Sequence, residues 1–138
     1  MKLAASSFLA GAISRLLPMS IPFRYFGAAV AFHGLAWLAL LAGAQQLPRF
    51  EGGLGWPLAG LHLVTLGVLT MTAMGASLQL LPVATRQPVR STRWPALIWW
   101  LYVPGVAAGA FGMGAGRPPW LGGGAAAVTL ALRAWSAL

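Results

Sequence analysis

Three stretches of this chain run without a charged residue, from Arg24 to Arg49, from Glu51 to Arg86 and from Arg93 to Arg117. A hydrocarbon layer of about 30 Å, crossed at 1.5 Å per residue, asks for roughly 20 apolar residues, and inside it the backbone must satisfy its own hydrogen bonds. The runs meet that length. They predict spans from Ile21 to Gln45, from Trp56 to Val83 and from Trp94 to Gly114, with a fourth from Trp120 to Ala137. Pro22, Pro57, Pro95 and Pro119 each fall in or near a predicted first turn, where the missing N–H costs nothing and the fixed φ suits a helix. The expected fold is all-α, an integral membrane unit of four helices over residues 19–138.

Composition agrees. Of 138 residues, 59% are hydrophobic and 7% charged, against roughly 25% charged in a soluble domain, so a water-facing monomer would lack the polar surface to cover it. The formal net charge of +8 comes from Lys and Arg scattered in ones and threes between apolar runs, which offers no face for nucleic acid. Without a Cys the chain has no disulfide framework, no Cys-ligated zinc or iron–sulfur site, no Cys nucleophile and no covalent c-type haem attachment.

Residues 1–18 form a separate segment. From Lys2 to Leu17 the chain is apolar but interrupted by Arg15, too short to cross, and Phe8, Leu9, Ala12, Ile13 and Leu16 recur on one helical face. An interfacial helix ended by Pro18 and Pro22 is expected, with a cleaved signal peptide as the competing reading. Lys2, Arg15 and Arg24 precede the first span and Arg86, Arg90 and Arg93 follow the second, whereas the other loops hold Arg49 with Glu51, and Arg117. That bias predicts both termini in the cytoplasm, with Trp56, Trp94, Trp120 and Trp135 as anchors at headgroup level.

Only His33, His62 and Glu51 offer acid–base or metal-ligating groups, and Glu51 lies in a loop. Helix rise places His62 roughly 9 Å and His33 roughly 18 Å below the outer surface. An imidazole in hydrocarbon needs partners for both nitrogens, so an intramembrane His is a functional hypothesis, against the alternative that it only bridges helices. The second span also carries Gly60, Gly67, Ala73, Gly75 and Ala76 beside Thr65, Thr70, Thr72, Ser77 and Gln79, a composition that suits a central helix. His62, Leu66, Leu69, Ala73 and Ala76 share one face at α-helical spacing, a wall that suits a flat macrocycle or ordinary helix packing. Met71 and Met74 are soft atoms that would suit copper, or packing. Gly112 with Gly116 and the run Gly122 to Gly124 offer close helix approach.

The segment His62 to Val83, with its spaced glycines and closing Leu81-Pro82, resembles the histidine-bearing helix of the haem-copper oxidase subunit I superfamily and of NnrS-like membrane proteins. Pro22-Phe23-Arg24-Tyr25-Phe26 is similar to the opening of NnrS-like chains. The resemblance covers about half the chain. It implies that His62 matches a haem or copper ligand position, and that a homotrimer of this four-helix unit would rebuild the twelve-helix arrangement of subunit I. The superfamily's copper site needs further histidines on a third-helix position, and the span from Trp94 to Gly114 has none. Full oxygen-reductase chemistry is therefore not expected.

The leading expectation is a haem b protein of the bacterial inner membrane, with His62 as axial ligand and His33 as second ligand or pocket group, serving electron transfer or diatomic gas binding. Arg49 and Arg117 would pair with haem propionates. Expected partners are the lipid bilayer, further copies of the chain and an electron donor. Two alternatives stand beside it: copper held by His62 without haem, and a cofactor-free structural or transport subunit.

Overall fold

The computed structural model describes Gly11, residues 17–88 and residues 91–138. The expected interfacial helix from Lys2 to Leu17, and the segment 1–18 as a unit, fall almost wholly outside the described residues. Among these the chain is helical, with no strand. Helix α1 spans Ser20–Ala42, α2 spans Trp56–Ala84, α3 spans Arg93–Gly114 and α4 spans Pro118–Ser136, with a short 3-10 turn at Leu47–Arg49. Pro22, Pro57, Pro95 and Pro119 all lie in first turns, as expected.

Helices α1, α2 and α3 are long and apolar enough to cross a membrane. The fourth expected span is present as a helix of 19 residues, but it is less apolar than the others. Pro118, Pro119, Gly122 to Gly124 and Arg133 dilute it. Large apolar side chains such as Val30, Leu38, Leu41, Leu69 and Leu80 stand exposed along the outer faces, as they do on a protein surrounded by lipid.

Helix α2 is central, in contact with both α1 and α3. Its glycines face α1: Gly60 meets Leu40 and the Ala36 carbonyl, Gly67 meets Phe32, and Gly75 meets Tyr25 and Phe26. Each notch receives a large side chain of the antiparallel neighbour, so these two helices interlock by size rather than by polarity. Tyr25, fully buried, donates its hydroxyl to the Pro95 carbonyl at 2.6 Å, and the Trp99 indole donates to the Arg24 carbonyl at 3.0 Å. Those bonds tie the start of α3 to the start of α1.

Helix α4 packs chiefly on α3. The crossing is made of backbone: a Cβ on Gly124 would run into the Gly109 amide nitrogen and the Gly105 carbonyl oxygen, and one on Gly112 into the backbone of Leu121. Because α4 is pinned to α3 this tightly, a cleft is left between α4 and α2, and both cavities described below open from it.

The helix directions sort the charges. Arg24, Arg86, Arg93 and Arg133 gather at one end of the molecule, and Arg49, Glu51 and Arg117 at the other. Of the four expected tryptophan anchors, Trp94 and Trp120 are more than half exposed at helix starts. Trp56, at the start of α2, and Trp135, in the last turn of α4, are partly buried: Trp56 lies on Gly114, and Trp135 packs its ring 5.9 Å from that of Tyr25.

Substituting Ala at Gly124 should lower the unfolding temperature of the detergent-purified protein, at a cost of about 1–3 kcal/mol for overpacking. Gly122→Ala, whose new methyl group meets nothing within 4 Å, should leave it unchanged or raise it. Circular dichroism melts of the two variants check the difference.

Candidate functional site

His62 closes the first α-helical part of α2, Trp56–His62, and the next eight residues, Leu63–Thr70, form a π-helix before α-geometry resumes at Met71. The wider turn is visible in the side chains: the Thr70 hydroxyl donates to the Thr65 carbonyl, five residues back, at 2.9 Å. The Tyr102 hydroxyl reaches across from α3 to the Leu66 carbonyl at 3.0 Å. A π-segment inside an α-helix departs from the 3.6-residue period, and such segments often occur at functional sites.

This changes the face expected below His62. His62 and Leu66 line a cavity, but Leu69 is 61% exposed and Ala73 is also exposed. The α-helical spacing that joined these residues into one wall does not survive eight residues of π-geometry.

The half-buried His62 ring places Nδ1 3.0 Å from the Leu58 carbonyl. A carbonyl only accepts, so Nδ1 carries the hydrogen, and in the neutral ring Nε2 keeps its lone pair. The ring makes no other hydrogen bond among the described residues. A cavity of about 210 Å³ adjoins it, between α2, α3 and α4, with apolar walls that include Val106, Ala110 and Val128. Thr129, the other polar side chain on it, spends its hydrogen on the Ala125 carbonyl at 2.8 Å. The site therefore combines one available nitrogen lone pair with a small apolar space.

His33 is elsewhere. It stands exposed on α1, and its Nε2 accepts the Trp37 indole N–H at 3.1 Å, the two rings meeting edge to face with centroids 6.2 Å apart. Its lone pair is thus already engaged, and it does not line the His62 cavity. The two histidines expected to share a cofactor are not brought together within one chain. Met71 and Met74 are buried in the core, which takes their sulfur atoms away from any outward-facing metal. Arg49 and Arg117 are exposed at the end of the molecule from which α2 starts, one to two turns above His62. Among the described residues no group of three or more His, Cys, Asp or Glu is placed to hold a metal ion.

A haem fits these residues in one respect. His62 offers an axial nitrogen, oriented by a carbonyl on its far side as metal-bound histidines usually are. The cavity is smaller than the roughly 300–1,000 Å³ of sites for drug-sized ligands, so it does not enclose a macrocycle within one chain. Sequence reasoning missed the π-segment and Tyr102. The only signal for either was the pair Thr65 and Thr70 at a spacing of five, which belongs to no α-helical face.

Comparison with known protein families, with curated proteins and with solved structures finds no match to this chain.

Tyr102→Phe removes the hydroxyl that serves the Leu66 carbonyl, and should destabilise the protein by about 1 kcal/mol. Hydrogen exchange should quicken at the amides of 63–70 while those of α1 keep their protection; mass spectrometry of exchanged peptides reads the two regions separately.

Proposed function

We propose that this chain is an integral membrane protein that binds haem b through His62, for electron transfer or diatomic-gas binding. The observation that carries this reading is the Leu58 carbonyl on Nδ1, which leaves Nε2 as an available lone pair beside an apolar space. In hydrocarbon an unused imidazole nitrogen is costly, and a metal is one of the few partners that repay it.

Such a haem would supply one-electron exchange or an open iron position for a gas. Since one chain's cavity is too small to enclose it, its remaining walls belong to further copies, which ties the cofactor to the homotrimer of four-helix units expected from the resemblance. His33, outward on α1 with its Nε2 engaged by Trp37, would then serve a cofactor held by a neighbouring copy as a hydrogen-bonding pocket group. Arg49 and Arg117 sit at the end suited to propionates. The bias of arginines toward the opposite end supports termini in the cytoplasm of a bacterium, with all four helices crossing its inner membrane.

An absorption spectrum of the detergent-purified protein, with metal analysis and a mass of the oligomer, tests the reading. Wild type should show a Soret band and the mass of three copies; His62→Ala should abolish the band, and His33→Ala should retain it. A protein that stays colourless when supplied with haem refutes the proposal. Copper retained by wild type and lost in His62→Ala would put the copper reading in its place, and neither metal would leave a structural or transport subunit.

A further inference from the structure

The cleft between α2 and α4 opens a second time, at the arginine-rich end. A cavity of about 420 Å³ lies there, within the size range of ligand sites. Leu78, Leu81 and Pro82 line it toward the middle of the molecule, and Thr85, Gln87 and Trp135 line it around the ends of the two helices. Along its depth the one polar side chain is Ser77, whose hydroxyl is spent on the Met74 carbonyl at 2.9 Å, and the remaining polar groups lie where the helices stop, beside Pro88 and Leu138.

Two donors there are unused. The Trp135 indole N–H and the Gln87 side-chain amide have no hydrogen-bond partner among the described residues, and the Gln87 backbone N–H is served by the Thr85 hydroxyl oxygen at 3.4 Å. Between Thr85 and Gln87 sits Arg86, exposed, with φ of 58°. This is the position after a helix where glycine is usual, because a side chain in the left-handed region costs roughly 1–2 kcal/mol. Arg93 begins α3 at the same end and Arg133 lies in the last turn of α4, while the chain's single carboxylate side chain, Glu51, is at the opposite end.

We propose that this cavity holds one anionic phospholipid, its phosphate on Arg86, Gln87 and Trp135 and its acyl chain along Leu78, Leu81 and Pro82. A free anion would have no use for the apolar depth, and a zwitterionic lipid would bring a cation to the end of the molecule where Arg24, Arg86, Arg93 and Arg133 gather. Basic pockets between helices at the membrane surface recognise lipid headgroups by this chemistry. The site is independent of any cofactor at His62.

Delipidated protein in detergent is titrated with phosphatidylglycerol, with phosphatidylcholine and with inorganic phosphate, and the lipid-bound species are resolved by native mass spectrometry. One phosphatidylglycerol should bind saturably, phosphatidylcholine should bind about five-fold more weakly or worse, and excess inorganic phosphate should not displace the lipid. Arg86→Gly, which relieves the backbone while removing the guanidinium, should weaken phosphatidylglycerol binding about five-fold. Trp135→Phe keeps a ring on Tyr25 and should weaken it too, whereas Trp120→Phe at the other end should have no effect. Equal binding of the two lipids, displacement by phosphate, or wild-type affinity in both Arg86→Gly and Trp135→Phe overturns the proposal. Unchanged circular dichroism of each variant separates lost binding from lost fold.

Discussion

In a layer without water, a polar group that finds no partner inside the protein finds none at all, and three helices of this chain are long and apolar enough to meet that constraint. The hydroxyls of Thr65, Ser77, Thr85 and Thr129 donate to carbonyls of their own helix three or four residues back. Tyr25 and Tyr102 reach across to carbonyls of neighbouring helices and so double as struts. One buried side-chain acceptor among the described residues is left over, Gln79 Oε1. What sets the available nitrogen of His62 apart is its surroundings, since its other nitrogen is paired and its ring borders an apolar cavity.

That space exists because of how α4 is held. Glycines at 105, 109 and 124 bring the backbones of α3 and α4 into contact, and the closer that pair becomes, the less α4 can lean on α2. On the other side, α2 lowers its own glycines over the large residues of α1. The central helix is thus committed to α1 and α3, and its remaining side faces a cleft with an apolar cavity at His62 and an amphipathic one at Trp135. One packing decision produces both candidate sites.

Much of the fold was legible in the residues. Proline placement and the limits of the uncharged runs predicted helix starts within two residues, and the glycine- and threonine-rich helix is the central one, as its composition suggested. The face of that helix was misread. Periodicity assumes a constant turn, and within residues 63–70 only the five-residue spacing of Thr65 and Thr70 hints that the turn widens there, so an α-helical face places Leu69 and Ala73 in a wall they do not join. The partners of Trp56 and Trp135, Gly114 and Tyr25, are far along the chain, beyond the reach of any local pattern.

Apolar run length and the scarcity of charge were enough to dictate helices, their number and their order, because in hydrocarbon the backbone has hardly any other way to bond itself. Which residues face one another was settled only by tertiary packing. His33 and His62 look equivalent along the chain, yet one spends its lone pair on the Trp37 of its own helix and the other keeps it beside a cavity. The difference depends on the rotation of each helix against its neighbours, and that rotation comes from glycine-to-bulk contacts between residues distant in sequence, together with a π-segment to whose Leu66 carbonyl Tyr102 donates.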